Sequence, residues 1–163
     1  MTAHAATRRR LIAALILLTS IRFMVVSFIP SLEMFGGPNP DAWIGPWGAD
    51  TVLGALAPLM AWLAWKGTGL RVWGLLIAYN AVGAFDYSHG LLTQWLEPTV
   101  TQSAALTYGS IGISFIVQLA VLRMLFRGSV ASSFFQTVDA KAGAQIKHER
   151  SSETEHMGRI AIN

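Results

Sequence analysis

Four ionisable side chains, Arg22, Asp50, Asp86 and His89, fall within or at the edge of long apolar stretches of the sequence. An ionisable group at membrane depth is costly, so it usually faces the protein interior, pairs with another group and often marks a functional site. If these stretches are membrane helices of alternating direction, a rise of about 1.5 Å per residue places all four groups in the outer third of the bilayer. The spacing therefore predicts a single intramembrane polar cluster.

Two kinds of chemistry fit such a cluster. Arg22 can hold one carboxylate as a bidentate partner, and a second carboxylate nearby would then be a candidate proton acceptor. Alternatively, Arg22 and Asp86 form a structural pair that fixes the helix register, while Asp50 caps its helix close to water. His89 is either a ligand or proton relay, or a solvated residue at the membrane interface. The sequence leaves these alternatives open.

The residue types that carry most enzyme and cofactor chemistry are missing or isolated. The chain has no cysteine, which excludes disulfides, thiol catalysis and cysteine-ligated metal or iron–sulfur sites. No second histidine lies near His89 in the apolar stretches, so a bis-histidine haem or a histidine-rich metal site has no support. There is no nucleophile–base constellation either, and we expect no catalytic residues, no metal and no cofactor. An enzymatic role is uncertain and not favoured.

Polar residues at helical spacing suggest a cavity next to the cluster. Tyr79 and Asn80 lie near the middle of the third apolar stretch, while Ser110, Ser114 and Gln118 form one stripe along the fourth. These five residues are the candidate lining of a cavity below Arg22. The alternative is helix packing, since small and hydroxyl residues commonly mediate close contacts between membrane helices.

The amino-acid composition indicates that these residues belong to a membrane protein. The chain has 163 residues, of which 53% are hydrophobic and only 13% charged, whereas about a quarter of the residues in a soluble domain are charged. The apolar stretches cover residues 11–29, 48–65, 72–92 and 103–126, and most approach the length that crosses a hydrocarbon core of about 30 Å. We predict an all-α fold, a four-helix transmembrane domain over residues 11–127. A short N-terminus (1–10) and a mostly disordered tail (128–163) flank it.

The basic residues predict the orientation. Lysine and arginine mark the cytoplasmic side of a membrane protein, and with four spans they all fall on the side of the N-terminus, apart from Arg22 inside the bilayer. The two opposite loops hold only Glu33, Asp41 and Glu97 as charged residues. Both termini are therefore expected in the cytoplasm, with an uncleaved first span. The net charge of +3 reflects this topology and gives no reason to expect a nucleic-acid partner.

The first outer loop, residues 31–47, is rich in glycine, proline and tryptophan. This composition favours turns and places aromatic rings at the membrane interface. The loop either caps the bundle with an aromatic belt or forms a lid over an outward cavity.

A set of residues spread over the first three spans resembles a family of small bacterial integral membrane proteins with no assigned activity. The residues that carry the resemblance are Arg22, Gly48, Asp50, Ala57, Pro58, Asn80, Gly83 and Asp86. The likeness covers roughly residues 15–125. It implies a four-helix protein of the bacterial inner (plasma) membrane and no particular chemistry.

Three classes of function remain open. The leading expectation is an accessory or scaffold membrane component, homo-oligomeric or part of a larger membrane complex, whose partner is the lipid bilayer itself. The second is a small proton-coupled transporter or permease subunit in which Arg22 holds an anion or carboxylate and Asp86 or Asp50 exchanges a proton. The third, least favoured, is a membrane redox or quinone-linked subunit served by Asp86, Tyr87 and His89.

Overall fold

The computed structural model describes residues 3–99 and 103–135, and within these ranges the chain is helical with no strand, which confirms the all-α prediction. The first helix, α1, continues beyond Leu18 as nine residues of tighter 3-10 helix, Thr19–Ser27. The α-helices are α1 (Ala3–Leu18), the short α2 (Leu32–Phe35), α3 (Ile44–Lys66), α4 (Leu70–Leu96) and α5 (Ala104–Leu125). Residues 128–135 are helical as well.

Three helical segments of the described chain are long and apolar enough to cross a membrane: Ala6–Ser27, Pro40–Lys66 and Ala105–Leu125. The sequence predicts four membrane spans, and the third, residues 72–92, does not meet this criterion of length and apolar composition. The exception is α4, which has ample length at 27 residues but carries many polar side chains that lower its hydropathy. The first, second and fourth predicted spans are thus confirmed as candidates.

The two faces of α4 differ sharply. Its outer face exposes large apolar side chains, among them Val82 (54% exposed), Phe85 (74%) and Trp95 (75%). Its inner face buries polar groups instead, including Asn80, Asp86, Thr93 and Gln94. A water-soluble helix has the opposite arrangement, with its polar side outward. The average hydropathy of α4 is therefore low although the surface it presents outward is mostly apolar.

The other helices also expose large apolar side chains. Apolar side chains as large as Ile21, Met24 and Ile113 are more than 60% exposed, far beyond the scattered exposure that soluble proteins show. The interior is a narrow seam of apolar residues between α1, α3, α4 and α5: Ile12, Ile16, Ala57, Met60, Ala64, Leu76, Val121 and Leu125. Lipid is the natural solvent for such an exterior.

Arg9 is buried at one end of the bundle. We call this end, which carries Arg8, Arg9, Lys66 and Arg71, the basic end. Arg9 is only 3% exposed. Its Nε donates to the carbonyl of Ala64 at 2.9 Å, its Nη2 donates to the carbonyl of Gly67, and its Nη1 donates to the carbonyl of Ser133 at 3.4 Å. Its guanidinium carbon lies 4.3 Å from the centroid of the Phe134 ring. Arg9 thus satisfies carbonyls at the end of α3 that have no partner within the helix.

The helical residues 128–135 pack against this end of the bundle. Val130 and Phe134 are fully buried, and the backbone N–H of Gly69 donates to the carbonyl of Phe134 at 2.7 Å. The sequence predicts a mostly disordered tail from residue 128. The first eight residues of that tail are instead an ordered part of the fold, because Phe134 fills the space beneath Arg9. Residues 136–163 lie outside the described part of the chain.

We predict that Arg9→Gln loosens this end. The shorter amide cannot reach three carbonyls together, and the buried acceptors left unpaired should cost about 1–3 kcal/mol. Thermal unfolding in detergent should show a lower midpoint, and chymotrypsin should cleave more readily after Phe134. Arg10→Gln is the matched control, because Arg10 is exposed on the same helix. Equal stability of the two variants would contradict the role assigned to Arg9.

Candidate functional site

A close contact between two backbones positions the central arginine. Gly54 of α3 lies directly against the 3-10 segment, and a Cβ at this position would collide with the backbone nitrogen of Phe23. The same Cβ would come within 2.9 Å of the Phe23 Cα and 3.0 Å of the Arg22 carbonyl carbon. Glycine therefore allows the first helix to touch α3, as small residues do between membrane helices. The contact places the side chain of Arg22 between α3 and α4.

Arg22 bridges two carboxylates that come from different helices. Its Nε donates to Asp50 Oδ1 on α3, and its Nη2 donates to Asp86 Oδ2 on α4. The side chain of Arg22 is 2% exposed, against 20% for Asp50 and 8% for Asp86. The guanidinium carbon also lies 4.0 Å from the centroid of the Tyr87 ring, a cation–π contact. One side chain thus ties the first helix, α3 and α4 together.

One oxygen of each carboxylate accepts no hydrogen bond from the described residues. Each uses one oxygen for Arg22, and the other oxygens, Asp50 Oδ2 and Asp86 Oδ1, have no partner among the described residues. Neither oxygen is among the fully enclosed atoms without a partner. With both carboxylates ionised, the cluster carries one positive and two negative charges. It therefore presents excess negative charge and free acceptors.

A polar layer lies behind Arg22, on the side of α5. A Cβ on Gly83 would come within 3.3 Å of Arg22 Nη1 and 2.8 Å of Gln118 Nε2, so Gly83 makes room for both groups. Arg22 Nη1, both amide atoms of Gln118 and Asn80 Oδ1 are buried without a hydrogen-bond partner among the described residues. The layer thus has more hydrogen-bonding capacity than these residues satisfy. The Nη1 of Arg22 belongs to this layer.

A cavity of about 560 Å³ opens above the cluster, within the volume range of small-molecule sites. Its floor is formed by Arg22, Asp50, Asp86 and Tyr87. One wall comes from α5 and carries hydroxyl groups. The α5 residues of this wall are Thr107, Ser110, Ile111 and Ser114.

The opposite wall is aromatic and is formed by the segment between the first helix and α3 together with the first turn of α3. Phe28 packs edge-to-face against Phe35 at 5.4 Å between ring centroids, and Trp43 lies 5.9 Å from Trp47. Trp43 Nε1 donates to the carbonyl of Glu97 at 2.9 Å, which joins this wall to the loop after α4. We call this end, formed by residues 28–47 and 97–99, the loop end. Residues expected as a belt or a lid thus line the cavity itself.

Three of the four residues predicted to form one cluster lie together: Arg22, Asp50 and Asp86. His89 does not join them. It is exposed on the same side of α4 as Phe85 and Leu92, and its Cε1 lies 3.9 Å from where a Cβ on Gly45 would be. His89 lies near the loop end, and its direction around α4 separates it from the cluster.

The five predicted lining residues divide into two groups. Ser110 and Ser114 line the cavity, whereas Tyr79, Asn80 and Gln118 lie outside its lining. The Tyr79 hydroxyl donates to the carbonyl of Leu53 at 2.9 Å and lies 3.2 Å from Thr19 Oγ1. Tyr79 therefore serves helix packing, and Asn80 and Gln118 belong to the polar layer behind Arg22.

Several lining residues were not identified from the sequence. Tyr87 lies seven residues beyond Asn80 and on the same buried face of α4, so helical spacing could have placed it in the site. Phe28, Phe35 and Trp43 lie in or beside separate short helical turns, which share no continuous periodicity, so their spacing gave no such signal. Trp43 is held there by its hydrogen bond to the distant residue Glu97.

Metal binding finds no support in the described residues, since no three histidine, aspartate or glutamate side chains group together there. The site is instead an ion-paired cluster beneath a partly apolar cavity. No model of a known family, no curated protein and no solved structure matches this chain.

Proposed function

We propose that this chain is a four-span membrane protein that binds a small amphipathic molecule in an outward-facing cavity, as the substrate-binding unit of a small transporter. The observation that carries the proposal is the cavity of about 560 Å³ whose floor is the Arg22–Asp50–Asp86 cluster. Ligand sites commonly combine an apolar wall with a few convergent polar groups. Charged groups at membrane depth are characteristic of substrate and ion pathways.

The two-faced character of α4 supports a fourth span. Inside a bundle, its buried polar groups meet Arg22 and the polar layer, while its exposed side offers mostly apolar groups to lipid. A helix that crosses between other helices can therefore tolerate a low average hydropathy. Four spans would leave both termini on the same side.

Charge supports the orientation. At the basic end, Arg8 and Arg9 gather with Lys66 and Arg71, and no lysine or arginine occurs in residues 23–65 or 72–122. Under the positive-inside rule, the basic end is cytoplasmic in a bacterial inner membrane and the loop end faces outward. The cavity, which reaches the loop end, would then be filled from outside.

Two features favour transport over a purely structural role. The first helix changes from α to 3-10 geometry for nine residues at the cluster, and irregular helices at binding sites are typical of transporters. The two unpaired carboxylate oxygens also provide acceptors that a helix-locking ion pair does not need. A scaffold role would leave both the cavity and these acceptors without use.

Cysteine labelling tests the proposed cavity cleanly, because the native chain has no cysteine. Ser114→Cys places a thiol in the cavity wall, and its neighbour Ile113→Cys places one on the surface assigned to lipid, where Ile113 is 67% exposed. We expect a membrane-impermeant maleimide, added to intact cells, to label Ser114→Cys at least about tenfold faster, because a thiol in lipid does not ionise to the reactive thiolate.

Two results would contradict the proposal. If neither variant reacts in intact or permeabilised cells, water does not reach the cavity. If Ser114→Cys reacts only after permeabilisation, the cavity faces the cytoplasm and the proposed orientation is wrong. Equal expression and membrane insertion of both variants, measured on immunoblots, ensures that the rates can be compared.

A further inference from the structure

We propose that the ligand of this cavity is an amphipathic organic cation that carries at least one N–H donor, such as a protonated amine with an apolar or aromatic body. This inference rests on the proposed function and names its ligand class. It begins with the floor of the cavity, where Asp50 Oδ2 and Asp86 Oδ1 are free to accept hydrogen bonds. An ammonium group supplies the donors and charge that these oxygens lack.

The arginine in the floor does not make the site suitable for an anion. Its Nε and Nη2 already donate to Asp50 and Asp86, and its Nη1 lies in the polar layer with Gln118, behind Gly83. One face of its guanidinium is covered by the Tyr87 ring. An anion entering the cavity would meet two carboxylates, and among the described residues the arginine beside them already donates to both. Burial strengthens this repulsion, because the effective dielectric constant falls.

The path to the site has the same electrostatic character. The loop end carries the acidic residues Glu33, Asp41 and Glu97. The two stretches of sequence that contain the loop end, residues 23–65 and 72–122, have no lysine or arginine. Such a rim attracts cations and repels anions before they reach the floor.

The aromatic wall fits the remainder of such a ligand. Phe28, Phe35, Trp43 and Trp47 give the cavity a broad apolar side opposite the hydroxyl groups of α5. Aromatic faces bind apolar bodies and also attract a positive charge. Size, wall and floor together fit a molecule with an apolar body and one ammonium group.

Binding of three probes with the same phenylalkyl body tests the charge preference: 4-phenylbutylamine, 4-phenylbutanol and 5-phenylpentanoate. Calorimetry on the full-length protein in detergent should show the protonated amine binding about tenfold or more tightly than the alcohol, with the carboxylate weakest. Asp86→Asn should abolish the preference for the amine over the alcohol. Arg10→Gln is the control, because Arg10 is exposed at the basic end and does not line the cavity.

A second measurement does not depend on the stability of Asp86→Asn. In Ser114→Cys, the trimethylammonium form of an ethyl methanethiosulfonate should react faster than the sulfonate form, after each rate is divided by that of a free thiol. Preferential binding of the carboxylate, or faster reaction of the sulfonate, would overturn the cation inference and leave the outward cavity intact. Failure of all three probes to bind, together with an unreactive Ser114→Cys, would overturn the proposed function as well.

Discussion

Arg22→Gln is expected to destabilise the protein by about 3–5 kcal/mol, the cost typical of removing one partner from a buried ion pair. Without Arg22, the carboxylates of Asp50 and Asp86 face each other in a site where the Asp86 side chain is only 8% exposed. The glutamine side chain can still donate a hydrogen bond, but it supplies no charge. The first helix would also lose its bridges to α3 and α4.

The measurement is the unfolding midpoint in detergent, compared with Arg71→Gln as a matched control at an exposed position. The double variant Arg22→Gln/Asp86→Asn should recover part of the loss, because the remaining charge on Asp50 is 20% exposed and can be hydrated. A single Arg22→Gln variant as stable as the control would show that the cluster does not hold the helices together. A double variant less stable than either single change would contradict the ion-pair explanation.

Gly54→Ala is expected to cost about 1–3 kcal/mol through overpacking, although alanine is the better helix former. The added methyl group would collide with the Phe23 backbone, and a backbone cannot avoid it by changing rotamer. Relief requires the first helix to move away from α3. Such a movement would lengthen the bridge from Arg22 to Asp50, so probe binding should weaken together with stability.

Gly48→Ala is the control for this prediction, because it makes the same change in the same helix where a Cβ would meet nothing within 4 Å. Without a clash, only helix propensity remains, and Gly48→Ala should be neutral or stabilising by up to about 1 kcal/mol. Equal unfolding midpoints for the two variants would show that the helices can separate freely at Gly54.

A shared level for the residues of the cluster can be predicted from the sequence because a helix rises regularly along its axis. Arg22, Asp50 and Asp86 lie on three different segments, yet counting residues from the membrane edge places them at one level, where the structure joins them. Depth alone does not give direction around the axis. His89 follows Asp86 by three residues and is nevertheless exposed. Asp86 lies at the edge of the buried face of α4, and His89, almost one turn later, lies beyond that edge.

The cavity was harder to predict because its aromatic wall is built mostly from short helical turns that share no periodicity. Ser110 and Ser114 could be assigned from their spacing on a helix, whereas Trp43 is held by a hydrogen bond to Glu97, 54 residues further along the chain. The packed helix at residues 128–135 has a similar cause. Phe134 is ordered by Arg9, which lies near the opposite end of the sequence.

The order in which the ribosome makes these segments gives the Arg22 bridges a consequence for biogenesis. Arg22 emerges first, Asp50 follows 28 residues later and Asp86 follows 64 residues after Arg22. Until α3 is made, the first helix carries an unneutralised charge, which lipid strongly disfavours. We therefore expect stable insertion of that helix to require its partners, so that the first helix and α3 enter the membrane as a cooperative unit.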